Sequence, residues 1–273
     1  MAMSTSNSKL TQLFLPTFIT FFIILLNKVN SSSNQISFTI NNFISNQTDL
    51  IFQGDASVSS TGALQLIKLQ NNVPTQNSVG RVLYSKPIHI WDSKNSKVSS
   101  FTTSFSFIVN SPNINQPGDG LAFFLAPSDS QIPPNSIGNG GFLGIFNDQT
   151  LNPSNQIVAV EFDTYAEGNV WDPSFQHIGI DVNTIASIQT VSWGWRNGEV
   201  ANVIINYVAS NKTLTATLTY PSDQTSTVVT ASVDLKKILP EFVRVGFSAA
   251  TGALVETNNI LKWSFSSTFK SKN

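Results

Sequence analysis

Apolar and polar residues alternate in short segments through most of the chain after residue 35, and turn residues separate these segments. A period of two places the apolar side chains of a strand on one face of a sheet and the polar ones on the other. Helical periodicity is nearly absent, and only 235–239 fits a turn of helix. The pattern therefore predicts an all-β domain, with strands at 36–40, 100–109, 156–165, 177–182, 200–207 and 213–220.

The Asn-Gly pair within 196–199 predicts a hairpin turn between two of these strands, because both residues tolerate the positive φ angles of such turns. No linker, composition break or internal repeat divides residues 32–273. We therefore expect a single domain there, of a size that fits one large β-sandwich or jelly roll.

The first thirty residues have a different pattern. Lys9 precedes an apolar run at 13–26, and Lys28 and three serines at 31–33 follow it. A basic start, an apolar stretch and a small polar exit predict a secretory signal peptide at 1–31, with cleavage near 31–33. A signal anchor is the alternative, but the run has fewer residues than the roughly 20 that a spanning helix needs. We expect a secreted protein that has no membrane partner after signal removal, with glycosylation sequons at Asn46 and Asn211.

Charge is scarce in this chain. Of the 273 residues, 11% are charged, and the formal net charge is -1. Soluble domains average about 25% charged residues, and nucleic-acid binding requires a basic surface. We therefore expect no nucleic-acid partner. The absence of cysteine excludes disulfide scaffolds, zinc-thiolate sites and cysteine nucleophiles.

Two predicted strands carry the residues that point to chemistry. Glu161 and Asp163 share the polar face of one strand, and His177 and Asp181 share that of the next. If these strands pair, the side chains of Glu161, Asp163 and His177 converge on one surface. Asp181 is expected to be a solvated residue on the same face.

The loop between these strands adds three further oxygen ligands, from Glu167, Asn169 and Asp172. Clustered carboxylates repel one another unless a cation neutralises them. A histidine with carboxylates suits manganese, and an all-oxygen group with a backbone carbonyl suits calcium. An acidic surface without metal remains an alternative for this cluster.

A glycosidase is a second alternative, because Glu161, Asp163 and Glu167 are similar to a Glu-x-Asp-x-x-Glu motif of retaining enzymes. Such enzymes need two carboxyl groups roughly 5 Å apart. Here the second glutamate comes one residue too late, and the motif gives no role to Asp172 or His177. We therefore expect that the protein is not an enzyme.

Six segments of the chain resemble the legume lectin family and occur in the family's order. They are YSKPIHIWD (84–92), GDGLAFFLAP (118–127), GGFLGIFN (140–147), VAVEFDTY (158–165), NVWDPSFQHIGIDVN (169–183) and VRVGFSAATG (243–252). The resemblance implies a jelly-roll β-sandwich with a flat back sheet and a curved front sheet. It also implies that carbohydrate binds at the front, beside a manganese and a calcium ion.

The resemblance also assigns roles to individual residues. The manganese ligands are Glu161, Asp163, Asp172 and His177, with Ser192 in an outer-shell position. The calcium ligands are Asp163, Asp172, Asn169 and the carbonyl of Tyr165. The sugar-binding groups are Asp119, Gly141, Asn169, the ring of Tyr165 and the backbone at Ala253 and Leu254. The Gly118–Asp119 peptide bond is expected to be cis.

Several expectations from the resemblance stay open. Many members place the calcium asparagine where Glu167 stands here, so Glu167 is an alternative to Asn169 as a ligand. The loop from Gly252 to Trp263 has the length found in pea-type lectins and predicts mannose or glucose specificity. A lectin-like defence or storage protein without sugar binding is a further alternative. We expect glycans as partners, a homodimer or homotetramer, and an extracellular or plant vacuolar location.

Overall fold

The computed structural model describes residues 35–168 and 170–269, so the predicted signal peptide and Asn169 lie outside the described residues. The described strands, in chain order, are β1 (Ile36–Ile40), β2 (Leu50–Gly54), β3 (Ser57–Val58), β4 (Leu64–Gln65), β5 (Leu69–Gln70), β6 (Val73–Pro74), β7 (Val79–Tyr84), β8 (Ile88–His89), β9 (Ser100–Asn110), β10 (Gly120–Pro127), β11 (Val158–Asp163), β12 (His177–Val182), β13 (Gln189–Ser192), β14 (Val200–Val208), β15 (Thr213–Tyr220), β16 (Thr225–Ser232), β17 (Phe242–Ala250) and β18 (Thr257–Thr268). Among the described residues there is one short α-helix, α1 (Leu235–Ile238), before β17, and there are 3-10 helices at Pro134–Ser136, Gly140–Phe142 and Pro153–Asn155.

Two antiparallel sheets of eight strands contain nearly all of these strands. The back sheet has the order β16-β15-β14-β9-β18-β4-β3, and β1 also pairs with β18. The front sheet has the order β13-β12-β11-β10-β17-β7-β2, and β8 also pairs with β17. Strands β5 and β6 form a separate small ribbon. The predicted all-β jelly-roll sandwich is confirmed.

The main core lies between the two sheets and follows from the alternation in the sequence. Along β14 the side chains of Ala201, Val203, Ile205 and Tyr207 are buried, and the intervening side chains face outward. Because strand side chains alternate between faces, one face of β14 packs into the core and the other forms the outside of the back sheet.

The front sheet is buried on both faces. Strand β10 is a nearly continuous apolar run, and its residues are buried from Gly120 to Ala126. Leu143, Ile145 and Phe146, from the segment that follows β10, pack with Phe124 in a second apolar cluster. A strand covered on both faces reads as an unbroken apolar segment rather than an alternating one. This second cluster places residues 140–147 over the front sheet.

The predicted hairpin at 196–199 is wrong. Strand β13 before it lies in the front sheet and β14 after it lies in the back sheet, so the turn connects the two sheets. The Asn197 side chain accepts a hydrogen bond from the Ser111 N–H at 2.7 Å and donates one to the Ser111 carbonyl at 3.0 Å. Gly198 has φ +73°, which only glycine adopts at little cost. The Asn-Gly pair does form a turn, but the hydrogen bonds of Asn197 with Ser111 hold that turn where the chain passes from the front sheet to the back sheet.

The strand predicted at 156–165 is shorter than expected, because β11 begins at Val158 and ends at Asp163. Gln156 has a left-handed conformation with φ +51° after a 3-10 turn at Pro153–Asn155, and this delays the start of the strand. Within the described part of the chain, no helix is long and apolar enough to cross a membrane.

Candidate functional site

Strands β11 and β12 bring the predicted manganese ligands together where β11 ends and β12 begins. Asp163 lies opposite His177 in the strand register. His177 Nε2 is 2.9 Å from Glu161 Oε1 and 3.8 Å from Asp172 Oδ1. One ligand atom each from Glu161, Asp163 and His177 fits within a span of 4.8 Å. The predicted convergence of these side chains is therefore confirmed.

A second group of three carboxylates adjoins the first and shares Asp163 with it. Asp163, Glu167 and Asp172 bring one oxygen each within 4.8 Å of one another. The Tyr165 N–H donates to Asp163 Oδ1 at 2.7 Å, and the Glu167 N–H donates to Asp172 Oδ2 at 3.0 Å. These bonds fold the loop around the carboxylates. Asn169 lies outside the described residues, so this group contains Glu167 and leaves the choice between the two ligands open.

The electrostatics of this cluster oppose its full ionisation in the absence of a cation. Burial and the charges of Glu161, Asp172 and Glu167 raise the pKa of Asp163 well above its usual value. Burial and the hydrogen bond with Asp172 raise the pKa of Glu167 to about 9. Burial opposes protonation of His177, but the hydrogen bond and charge of Glu161 outweigh it and raise the pKa of His177. A cation would reverse these shifts in the carboxyl groups.

The residues present fit the two metals. Glu161 Oε2, Asp172 Oδ1 and His177 Nδ1 are buried atoms without a hydrogen-bond partner among the described residues. Buried polar atoms are rarely left without partners, and carboxylates close together are stabilised by a divalent cation. The group with His177 offers nitrogen and oxygen, which suits manganese, whereas the group around Asp172 offers oxygen alone, which suits calcium.

One residue close to Glu161 differs from the sequence prediction. Asp181 is fully buried rather than solvated, because the front sheet is covered on this face as well. Burial and the charge of Glu161 raise the pKa of Asp181 well above its usual value. The Ser187 hydroxyl lies 2.7 Å from Glu161 Oε1 and 2.5 Å from Asp181 Oδ1. Ser192 pairs with His177 across the register of β12 and β13 and is exposed.

Sequence reasoning missed Ser187, which lies in a loop with no periodic pattern. The one sequence feature related to Ser187 is Gly179 on β12, which leaves space for the serine side chain. A Cβ on Gly179 would lie 2.0 Å from Ser187 Oγ and 2.3 Å from Glu161 Oε1. A glycine is therefore needed on β12 for Ser187 to reach the carboxylates.

Asp119 lies at the end of a tight turn that leads into β10. The Gly118–Asp119 peptide bond is cis, as the sequence comparison with the family implied. The Asp119 carboxylate is buried, and its Oδ2 accepts the Gly252 N–H at 2.5 Å. Burial raises the pKa of Asp119 to about 6, although the Gly252 donor opposes this shift. The turn thus presents a carboxylate that is fixed in direction before any ligand arrives.

The glycine pair at 140–141 lies directly against these carboxylates, in a short 3-10 helix at Gly140–Phe142. A Cβ on Gly140 would lie 1.8 Å from Asp119 Oδ2 and 2.4 Å from the Gly252 nitrogen. A Cβ on Gly141 would lie 2.1 Å from Glu167 Oε1. Gly140 has no room for a side chain, because the backbone nitrogen of Gly252 blocks it, and a side chain on Gly141 would displace the carboxyl group of Glu167. Gly140 was not among the predicted site residues, and its contact with Asp119 adds it to them.

The remaining predicted sugar-binding residues lie around the Gly118–Asp119 turn. The Tyr165 side chain is partly exposed, at 43%. The Cβ of Tyr165 and the side chain of Leu254 both lie within 4 Å of where a Cβ on Gly118 would stand. Gln76 Nε2 donates to the Ala253 carbonyl at 2.5 Å. One surface therefore joins the turn, the loop after β11, the loop after β17 and the glycine pair.

The legume lectin domain family matches residues 35–273 of the chain. The bark leucoagglutinin of Maackia amurensis is 60% identical over 271 residues, which are 98% of this chain and 94% of that protein. The chain belongs to the legume lectin family. A solved structure similar to this lectin is UEA-II complexed with galactose, with 56% identity and a TM-score of 0.81, covering 85% of this chain and 98% of that one. Another is lectin I from Ulex europaeus in complex with the methyl glycoside of α-L-fucose, with 51% identity and a TM-score of 0.81. The alignment covers 86% of this chain and 99% of that one.

The family fixes the class of function. Legume lectins bind carbohydrate and are not enzymes, so this lectin is a non-catalytic carbohydrate-binding protein and the glycosidase alternative is wrong. Legume lectins also generally bind calcium and manganese, and the acidic groups around Asp163 provide a candidate site for these ions.

Proposed function

We propose that this lectin binds a neutral sugar next to its metal centre, through a surface formed by Asp119, Gly141, Tyr165, Asn169, Ala253 and Leu254. One observation carries the proposal. The buried carboxylate of Asp119 is held by the Gly252 amide, and the Cβ of the exposed Tyr165 lies 3.7 Å from where a Cβ on the preceding Gly118 would stand. A fixed acceptor next to an aromatic surface matches the two faces of a sugar, one made of hydroxyl groups and one of C–H groups.

The chemistry of the surface suits a ligand without charge. Sugar hydroxyls both donate and accept, whereas the Asp119 carboxylate only accepts and the backbone amides only donate. Asn169 offers an amide that donates to a hydroxyl oxygen. The Tyr165 ring offers an apolar face for stacking. Since Asp119 is already held in position, binding orders few additional groups.

We propose Glu161, Asp163, Asp172 and His177 as the residues that hold manganese, with Asp163 and Asp172 shared with calcium. The Tyr165 carbonyl and Asn169 complete the calcium set, and Glu167 is the alternative to Asn169. When bound, the two cations neutralise the clustered carboxylates and fix the loop after β11. Ser187, through its contact with Glu161, holds that carboxylate toward His177.

The choice between Glu167 and Asn169 is open to a direct test. Calcium affinity is measured by calorimetry on the variants Glu167→Gln and Asn169→Ala. Loss of calcium binding in the Asn169 variant alone supports Asn169 as the ligand, and loss in the Glu167 variant alone assigns that role to Glu167.

Two sugar classes compete for the proposed site. The length of the loop from Gly252 to Trp263 predicts mannose or glucose. Two similar solved lectins hold galactose and α-L-fucose, and these relatives favour a galacto-configured sugar as the second candidate. A panel of methyl glycosides of mannose, glucose, galactose and L-fucose, titrated by calorimetry, separates the two classes. Binding of galactose or fucose without mannose or glucose would contradict the prediction from loop length.

We also propose how the protein is secreted, glycosylated and assembled. We infer that residues 1–31 form a secretory signal, with an extracellular or vacuolar destination, and N-terminal sequencing of the purified protein tests this. The sequon residues Asn46 and Asn211 are exposed and accessible to glycosylation. We also infer a homodimer or homotetramer, since paired sites would raise avidity for clustered glycans, and light scattering measures the oligomeric state.

The variant Asp119→Ala provides the test of the site itself. It removes the carboxylate that accepts from the sugar, so binding should be abolished while calcium and manganese remain bound. Failure of the native, metal-loaded protein to bind any glycan on an array would contradict the proposal.

A further inference from the structure

Glu256 lies at the end of the loop that carries Ala253 and Leu254, directly before β18. Its side chain is fully buried. Its Oε2 accepts the Thr164 hydroxyl at 2.7 Å, and its Oε1 accepts the Asn258 amide at 3.2 Å. Burial raises the pKa of this carboxyl group, and the nearby backbone amide of Gly118 partly opposes that shift.

The partners of Glu256 belong to separate parts of the proposed sugar site. Gly118 immediately precedes Asp119, and Thr164 immediately precedes Tyr165. Glu256 itself ends the loop after Gly252, whose amide holds the Asp119 carboxylate. Glu256 therefore joins three of the segments that meet at the site, although its own side chain has no access to a ligand.

The backbone N–H, the carbonyl and the hydroxyl of Thr164 each form a hydrogen bond. Its N–H donates to the Asp119 carbonyl at 3.1 Å, and its own carbonyl accepts the Gln176 amide at 2.8 Å. Its hydroxyl is bound by Glu256. Thr164 therefore links the Glu256 side chain by hydrogen bonds to the backbone of Asp119, directly beside Tyr165.

We propose that Glu256 is a positioning residue for carbohydrate binding, which holds the Gly118–Asp119 turn, the Thr164–Tyr165 segment and the loop at 252–256 in the arrangement that a sugar requires. The proposal rests on the proposed function. Burial raises the pKa of Glu256 to about 8, so the fold keeps a carboxyl group where it is costly to ionise. A side chain needed for packing alone is served as well or better by an apolar residue.

The structure suggests variants that separate hydrogen bonding from packing. In Glu256→Gln the amide oxygen still accepts from Thr164. Asn258 Oδ1 has no hydrogen-bond partner among the described residues, so rotation of the Asn258 amide provides an acceptor for the new NH2 group. In Glu256→Leu the volume is kept and every acceptor is lost. Thr164→Val removes one donor while keeping the shape of its side chain.

Ile260→Ala is a matched control. Ile260 is fully buried on β18, four residues after Glu256, and packs in the core between the sheets. Its truncation lowers stability by creating a cavity, without removing a hydrogen bond from the site.

The experiment uses the full-length protein saturated with calcium and manganese. Methyl α-mannoside, methyl α-galactoside and methyl α-L-fucoside are titrated by calorimetry, and the glycoside that the native protein binds is then used for all variants. Glu256→Gln should bind within about threefold of native affinity, whereas Glu256→Leu should bind at least about tenfold more weakly, since the hydrogen bonds with both Thr164 and Asn258 are lost. Thr164→Val should show a loss of about threefold, on the order of one neutral hydrogen bond.

Hydrogen exchange of the ligand-free protein provides a second readout. The amides of 252–255 should exchange faster in Glu256→Leu than in Ile260→Ala, even when the two variants lose similar stability. Native affinity in Glu256→Leu, or an equal loss in Ile260→Ala, would overturn the proposal, and so would an equal loss in Glu256→Gln and Glu256→Leu. If Glu256→Leu does not fold, native affinity in Thr164→Val overturns it.

Failure of the proposed function itself gives a different result. In that case the native protein binds none of the three glycosides, or Asp119→Ala binds as the native protein does. Neither result depends on residue 256.

Discussion

The substitution Gly140→Ala tests the geometry of the proposed site most sharply. The added methyl group would lie 1.8 Å from Asp119 Oδ2 and 2.4 Å from the Gly252 nitrogen, between the two atoms of the hydrogen bond that orients the carboxylate. The backbone nitrogen cannot move away as a flexible side chain could. We therefore expect the Asp119–Gly252 hydrogen bond to break or lengthen beyond use.

The size of the effect follows from that bond. A hydrogen bond to a charged group contributes about 1.5–3 kcal/mol, which corresponds to a loss of sugar affinity of roughly 10- to 150-fold. Neither Gly140 nor Asp119 is among the proposed metal ligands, so calcium and manganese affinities should stay within about threefold of native values, or less than 1 kcal/mol.

Calorimetric titration with sugar, and separately with each metal, measures both quantities. Gly194→Ala is the matched control, because a Cβ at that position meets nothing within 4 Å and no positive φ applies there. Unchanged sugar affinity in Gly140→Ala, or a loss as large in Gly194→Ala, would show that the Asp119–Gly252 hydrogen bond does not orient the carboxylate for sugar binding.

Three further predictions follow from the same structure. Sugar binding should weaken in acid, because burial raises the pKa of Asp119 to about 6 and only the ionised form is a pure acceptor. With both metals kept saturating, the ionised fraction of Asp119 falls about tenfold between pH 7 and pH 5, and the apparent Kd for sugar should rise by the same factor. A sugar affinity that calorimetry shows to be constant between pH 7 and pH 5 would exclude this role for Asp119. Calcium and manganese should each stabilise the fold by about 2.7 kcal/mol at a concentration of 100 Kd, which raises Tm by several degrees in calorimetry, and an unchanged Tm would argue against specific sites. The secreted protein should carry N-glycans at Asn46 and Asn211, and enzymatic deglycosylation should lower its intact mass except in a double Gln variant.

Local alternation was enough to predict much of the fold. The predicted strand 177–182 coincides with β12, and the predicted 213–220 coincides with β15. The faces of β11 and β12 were also correct, because the period of two fixes which side chains share a face. That regularity placed Glu161, Asp163 and His177 on one surface before their pairing was known.

Features that depend on distant contacts could not be read from the sequence. The turn at 196–199 has the local signature of a hairpin, but its partner Ser111 is remote in the chain. Asp181 was expected to be solvated, but Ser187 and the covering loops bury it. Nothing near Asp181 in the sequence indicates this burial. Gly140 and Glu256 act through contacts with other segments, and no pattern around either residue reveals them.

Sugar binding by this lectin is expected to require both metals, and retention on a sugar column with and without chelator tests this dependence. The native protein, loaded with calcium and manganese, is applied to columns bearing mannose, galactose or L-fucose. It should be retained on at least one column, elute when a chelator removes the metals, and be retained again after both are restored. Retention that survives complete metal removal, verified by elemental analysis of the chelator-treated protein, would show that sugar binding does not depend on the metals.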